Sequence, residues 1–394
     1  MARPHPALIE LAAGRPLPVV EDPDRLLESA VEHRMTGLLW ARAEAGELKG
    51  DEQWERTLAM LTLRNEAHHR HLWEALEDVT DRLAGIGVQI AAFKGVTAEA
   101  RWFDRIGERP CHDVDILIDP AELDRADDIA ACIAPDHPLI GHFQELFRYG
   151  LVQALGLEVD DMSIDVHFDL FKLGIPSRTS RLVWERTQQL DTPSGGSVRV
   201  LDSETALVHR LVNINRDRFR YLLAYAEIAR IVSSEPDLHA VQDLARVEGL
   251  EVIVNKSLAA VLSTLGLPTE DIPRPQGWRA RAWDYLWRPK TRLLGETSTA
   301  EYARRGYLLM PALTTDRTVE ALRWIATNLF PPRSHLDFRH PDTGGPYPVR
   351  ILTSRVRQLM RNRRARSEIV HREPPAMPGP PSDVETRAWR HRHT

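Results

Sequence analysis

Between residues 23 and 84 the apolar positions recur at helical spacing, as at Leu58 and Leu61 and then Leu72, Leu76, Val79 and Leu83, and strand-like alternation is absent. This stretch predicts several helices. The pattern changes at Gly85 and Gly87, where Val88, Ile90, Ala91, Ala92 and Phe93 form a short apolar run that stops at Lys94-Gly95. Such a run reads as a buried strand ending in a turn. Residues 96–104 have helical spacing, residues 107–111 read as a loop, and Val114, Ile116, Leu117 and Ile118 form a second strand closed by Asp119-Pro120. Another helix is expected there, with Asp119 as its cap and Pro120 at its first position.

Farther along, residues 157–170 read as a strand region with a hairpin turn near Asp160-Asp161, and Ser194-Gly195-Gly196 turns into a short strand over residues 198–201. Residues 85–201 are therefore a small α/β unit. Asp202 or Ser203 caps a long helix expected to reach Ser233, and the chain stays mainly helical to Asn328. Prolines and glycines between Phe330 and Pro348 then break any regular pattern, and no internal repeat is present.

At 394 residues the chain exceeds what one hydrophobic core usually serves, so two or three domains are expected. The divisions fall at 1–84 (helical), 85–201 (the α/β unit), 202–328 (helical), 329–365 (a Pro/Gly-rich segment and a basic helix) and 366–394 (a disordered tail). An apolar fraction of 43% and a charged fraction of 27% mark an ordinary globular protein. No apolar run is long enough to span a membrane, and residues 1–21 carry prolines and charges where a signal peptide has a continuous apolar stretch. The expected location is cytoplasmic. Cys111 and Cys132 are too few and too far apart for a disulfide framework or a zinc site, and read as core-adjacent thiols.

A net charge of −6 gives no general attraction to phosphate backbones, so a nucleic-acid partner would need a local basic patch. The eight arginines between Arg350 and Arg372, opposed only by Glu368, offer one, although a basic helix before a disordered tail accounts for them as well. His68, His69 and His71 fall among Arg and Glu on what reads as a solvated helix face.

Asp113 and Asp115 are two apart on the second strand and share one face, while Val114 and Ile116 point to the other. Paired carboxylates suit magnesium, which prefers hard oxygen ligands and keeps waters that leave room for substrate phosphates. An ordinary strand end can carry the same pair. Lys94-Gly95 sits where a strand leads directly into a helix. Glycine lets the backbone approach a ligand, the helix start offers unpaired amides, and lysine adds a point charge, so the turn suits a phosphate; a plain strand-to-helix turn has the same residues. In the segment 163–169, alternation puts Asp165, His167 and Asp169 on one face and Ile164, Val166 and Phe168 on the other. A two-metal site needs a third acid, and Asp165, nearest the strand centre, is preferred to Asp169.

Together, Phe93-Lys94-Gly95, Arg109-Pro110, Asp113-Val114-Asp115-Ile116-Leu117-Ile118 and Ile164-Asp165-Val166-His167-Phe168 resemble an uncharacterised bacterial nucleotidyltransferase family within the polymerase-beta-like superfamily. The resemblance implies an α+β fold, with a small mixed-sheet core flanked by helical regions. It also implies that Lys94 and Gly95 hold the triphosphate of an NTP, that Asp113, Asp115 and Asp165 bind two Mg2+ ions (or Mn2+), and that Arg109 faces the phosphates or the acceptor. His167 and His209 join the nucleotide-binding set. Glu204, Leu207 and His209 fit a family pattern of two histidines four apart on a helix with a later aspartate, but Asn213 stands for the second histidine and Glu227 for the aspartate. The Leu329-Phe330-Pro331-Pro332 stretch and the arginines after it resemble the C-terminal part of some members, so the likeness runs over about residues 25–365.

The implied reaction is transfer of an NMP from an NTP to an unidentified small-molecule nucleophile, with release of pyrophosphate. His209, Asn213, Arg216 and Arg220 recur at helical spacing and either line the cleft or form a hydrated helix surface. Two other classes stay open: a non-catalytic nucleotide- or partner-binding module, and a toxin that modifies tRNA ends through the arginines of residues 350–372. Acceptor and oligomeric state are not specified by the sequence.

Overall fold

In the computed structural model, residues 4–148, 154–159, 162–171, 180–217, 219–287 and 315–331 are described, together with 333, 336, 346–349 and 351. The chain forms two compact units, residues 1–328 and 329–394. Of the second, little beyond the start is described; there the Tyr347 hydroxyl donates to the Pro331 carbonyl at 2.6 Å. The eight arginines from Arg350 to Arg372 and the Asp160-Asp161 turn lie outside the described residues. Among the described residues no helix is long and apolar enough to cross a membrane.

Four helices precede the sheet: α1 Pro6–Ala12, α2 Pro23–His33, α3 Thr36–Glu44 and α4 Glu52–Gly85. Their starts follow capping chemistry. Asp22 accepts the Arg25 N–H with Pro23 at the first helical position, and Asp51 accepts the Trp54 N–H. At 34 residues α4 is about 50 Å long and touches both hydrophobic cores described below. Its buried stripe includes Leu58, Thr62, His69, Leu72, Leu76, Val79 and Leu83. The reading of His69 as solvated is thus corrected: it lies three residues before Leu72 and seven before Leu76, on the core side. His68 is half-buried and only His71 is exposed.

Six strands form one mixed sheet: β1 Ile90–Phe93, β2 Asp113–Ile118, β3 Leu155–Val159, β4 Met162–His167, β5 Gln188–Asp191 and β6 Ser197–Val200, in the order β3-β4-β2-β1-β6-β5. β1 runs antiparallel to β2 and parallel to β6, β2 runs parallel to β4, and β3/β4 and β5/β6 are antiparallel pairs. The architecture is α+β, as expected. β5, with the polar sequence Gln-Gln-Leu-Asp, carried no strand pattern in the sequence.

The strand period of two sends alternate residues into separate cores. Ile90, Ala92, Val114, Ile116, Ile118, Ile164, Val166, Val198 and Val200 join the second half of α4, together with α6 (Ala126–Ile133) and α7 (Phe143–Arg148). Ala91, Phe93 and Leu117 belong instead to a second core. That core is built with α1 to α3, with α8 Ser180–Glu185, and with α9 Ser203–Arg216, α10 Leu222–Ser233, α11 Leu238–Glu248 and α12 Glu251–Thr264. The acidic residues of β2 and β4 lie on this second face.

The single helix expected from residue 203 to Ser233 is two. The chain leaves α9 at Asp217, Phe219 takes a left-handed φ of 56°, and its N–H bonds the Ile214 carbonyl at 2.8 Å before α10 begins. The buried Phe219 ring, edge-on to Tyr225 and Trp283, holds this corner. Arg220 therefore does not share a helix face with His209 and Asn213; it is exposed over the Tyr221 ring. The side chain of Arg216 lies outside the described residues.

Candidate active site

β1 ends at Phe93, and α5 (Gly95–Trp102) starts two residues later. Lys94, between them, has φ 60° and ψ −150°, a backbone region that non-glycine residues seldom occupy. Its carbonyl accepts the Thr97 hydroxyl at 2.8 Å and the Ala98 N–H at 2.8 Å, which fixes the turn. At Gly95, with φ +35°, a Cβ would lie 3.1 Å from the Asp113 carbonyl, close enough to push the turn and the start of β2 apart by a few tenths of an ångström.

Register brings the carboxylates together. Asp115 pairs with Phe93 on β1 and with Asp165 on β4, while Asp113 pairs with Ser163. Asp115, Asp165 and His167 each offer a ligand atom within 4.8 Å of the others. Asp115 is 2% exposed; its Oδ1 receives the Lys94 ammonium and lies 3.0 Å from His167 Nε2. Asp113 shares the face but stands at the half-exposed start of β2, outside this group. Asp169 lies past the end of β4, where its Oδ1 accepts the Phe171 N–H.

Behind the turn, Glu99 is buried on α5 and its Oε1 accepts the Gly107 and Arg109 N–H groups at 2.8 and 3.0 Å. Its other oxygen lies against His69 Nδ1, and His69 Nε2 is 3.1 Å from Cys111 Sγ. This Cys-His-Glu cluster ties α4, α5 and the loop before β2 into one piece. Burial pushes the Cys111 thiol well up, by more than the neighbouring Arg109 draws it down, so the thiol stays neutral.

Arg109, expected to face the phosphates or the acceptor, is instead buried against α10. Its Nε is 3.0 Å from Glu227 Oε2, and Arg210 Nε approaches the same oxygen at 3.2 Å. Burial raises the Glu227 carboxyl, but Arg109 and Arg210 outweigh it and hold the group below the ordinary carboxylate range. The resemblance singled out Arg109 and Glu227 separately but not their pairing.

One face of α5 borders a cleft of about 310 Å3, including the part open to solvent. Lys94 lines it from the turn, Arg101 and Trp102 from α5, His209 and Arg210 from α9, and Glu227 from α10. The Arg101 guanidinium stacks 4.4 Å from the Trp102 ring centre and donates to the Leu201 carbonyl and to Ser203 Oγ. His209 Nε2 lies 2.8 Å from Asn213 Nδ2, so Asn213 holds the ring where a second histidine was expected. The Phe93 ring stands between the two parts of the site, edge-on to His167 at 5.0 Å and to His209 at 5.1 Å.

Among the anticipated residues, Lys94, Gly95, Asp115, Asp165 and His167 therefore converge, and His209 lies across Phe93 in the cleft. Residues 20–266 match the family described as "Uncharacterised nucleotidyltransferase". The chain belongs to this family. The match ends at residue 266, short of the 365 that the resemblance reached. Among solved structures, an antigenic nucleotidyltransferase-like protein from Paracoccidioides brasiliensis is similar at 14% identity and a TM-score of 0.30, covering 50% of this chain and 92% of its own. No curated protein matches.

Several residues of this candidate site were not anticipated from the sequence: Arg101 and Trp102 along α5, Arg210 against Glu227, and the buried Glu99. Arg101 and Trp102 follow Lys94 at spacings of seven and eight, the helical recurrence that marks a shared face. No comparable signal identified Glu99.

Proposed function

We propose that this chain transfers a nucleoside monophosphate from an NTP to a hydroxyl, or another nucleophile, of a small-molecule acceptor. The acceptor atom bonds the α-phosphorus, pyrophosphate leaves, and the acceptor proton passes to solvent. The observation that carries this reading is the convergence of Asp115, Asp165 and His167 beside the Lys94-Gly95 turn, in a chain of this family.

The residues fit a divalent cation. Two carboxylates supply hard oxygen donors, and the Lys94 ammonium on Asp115 already stands in for a cation there. Asp115 and Asp165 would hold magnesium or manganese, with Asp113 as the next carboxylate along the same face. When bound, two such ions supply charge that acidifies an acceptor hydroxyl and neutralises the leaving phosphates.

The protein's own groups do the remaining positioning. His167 Nε2 donates to Asp115 and sets the carboxylate's direction. The amides at the start of α5 and the Lys94 ammonium receive the triphosphate. Arg109 acts through Glu227, fixing the helical wall of the cleft, where His209 meets the nucleotide or acceptor.

Incubating the protein with each radiolabelled NTP, magnesium and a metabolite extract tests the reaction. The expected result is a labelled product with stoichiometric pyrophosphate, abolished in Asp113→Asn and Asp115→Asn. Nucleotide binding with no pyrophosphate release under any of these conditions would replace this reading with that of a non-catalytic binding module.

A further inference from the structure

Asp115 Oδ1 already carries two donors, the Lys94 ammonium and His167 Nε2. It is buried, and the Lys94 side chain is 12% exposed, so water screens the pair poorly. The backbone of Lys94 is pinned through its carbonyl by Thr97 and Ala98, yet its side chain also borders the cleft and lies 4.9 Å from the Phe93 ring centre. Only the flexible four-carbon stem can move, and within the cleft Glu227 is already matched by Arg109 and Arg210.

We propose that Lys94 is a displaceable counter-ion that keeps bare divalent cations off Asp115, so that the metal enters only with a nucleotide whose phosphates give the ammonium a new seat. This rests on the metal-dependent reading above and adds an order of assembly to it. Two cations compete for one buried carboxylate. Without phosphate, the incoming ion must displace an ammonium for which, among the described residues lining the cleft, the carboxylate of Glu227 is already matched. With a triphosphate present, the same side chain turns towards it, and metal and nucleotide bind as a unit.

Calorimetric titration of the full chain with Mn2+, with and without an α,β-methylene NTP analogue, tests this in wild type, Lys94→Met and Lys94→Gly. The glycine variant guards against misfolding, because φ near 60° suits glycine. Both variants should bind bare Mn2+ about tenfold or more tighter than wild type, as expected when a contact-distance positive charge leaves a poorly screened site. The analogue should strengthen Mn2+ binding strongly in wild type and much less in the variants. Unchanged or weaker bare-Mn2+ affinity in both variants, with wild type still binding Mn2+ together with the analogue, would overturn the counter-ion role and leave the metal site standing. Absence of Mn2+ binding to wild type even with the analogue would remove the metal site, and this proposal with it.

Discussion

The two faces of the sheet are made by the same strands, yet they are built to opposite rules. On one, Val114, Ile116, Ile118, Ile164 and Val166 meet α4, α6 and α7 in hydrocarbon packing. On the other, Asp113, Asp115, Asp165 and His167 stand beside Ala91, Phe93 and Leu117, with charge concentrated at one end. The apolar face fixes the register, because a one-residue slip would put the carboxylates into the hydrocarbon core. The polar face can therefore hold buried charge that adds little to stability: its geometry is set from behind.

The largest stability effect should come from breaking the buried ion pair in the wall opposite the polar face. Glu227→Ala leaves Arg109 without its carboxylate and Arg210 with Asp217 at 3.9 Å, and should cost about 3–5 kcal/mol in urea denaturation; a loss within the range of a surface ion pair would mean that this wall is held otherwise. Next, Ile164→Ala on the apolar face should cost about 2–5 kcal/mol while leaving Mn2+-dependent nucleotide binding in the folded fraction. Loss of binding there would show that the two faces are not separable.

A smaller effect concerns pH. The folded Glu227 carboxyl is held below its ordinary value, chiefly against burial by Arg109 and Arg210. Its contribution is thus complete above the unfolded carboxylate pKa of about 4.3 and is lost as pH falls through the lower folded value. Glu227→Gln should flatten the acid limb of stability against pH, and an unaltered limb would remove Glu227 from that role. The smallest stability effect belongs to the half-buried Asp165, the neighbour of Ile164: Asp165→Asn, which keeps its shape and one hydrogen-bonding oxygen, should cost about 1 kcal/mol by the same denaturation, with loss of Mn2+-dependent nucleotide binding.

Much of this contrast was legible in the sequence, because strand alternation is local. The sharing of a face by Asp113 and Asp115, and the opposition of Asp165 to Ile164 and Val166, needed only a period of two. The adjacency of Asp115 and Asp165 needed the β2/β4 register, which no local pattern encodes. Arg109 and Glu227 were each singled out, but not their pairing, because the two are distant in sequence and Glu227 lies across a helix corner set by Phe219. His69 was misread because its charged neighbours dominated a stripe that is otherwise apolar. β5 escaped notice since its pairing with β6, rather than any apolar pattern, makes it a strand.

The central claim is that the polar face is a platform for a metal ion and a nucleotide together. Calorimetric titration of the full chain with an α,β-methylene NTP analogue, with and without Mn2+, in wild type and Asp115→Asn, tests it most directly. Binding is expected to require Mn2+ in wild type and to vanish in the variant with the fold intact by circular dichroism. Binding that ignores Mn2+, or that survives Asp115→Asn unchanged, would contradict it.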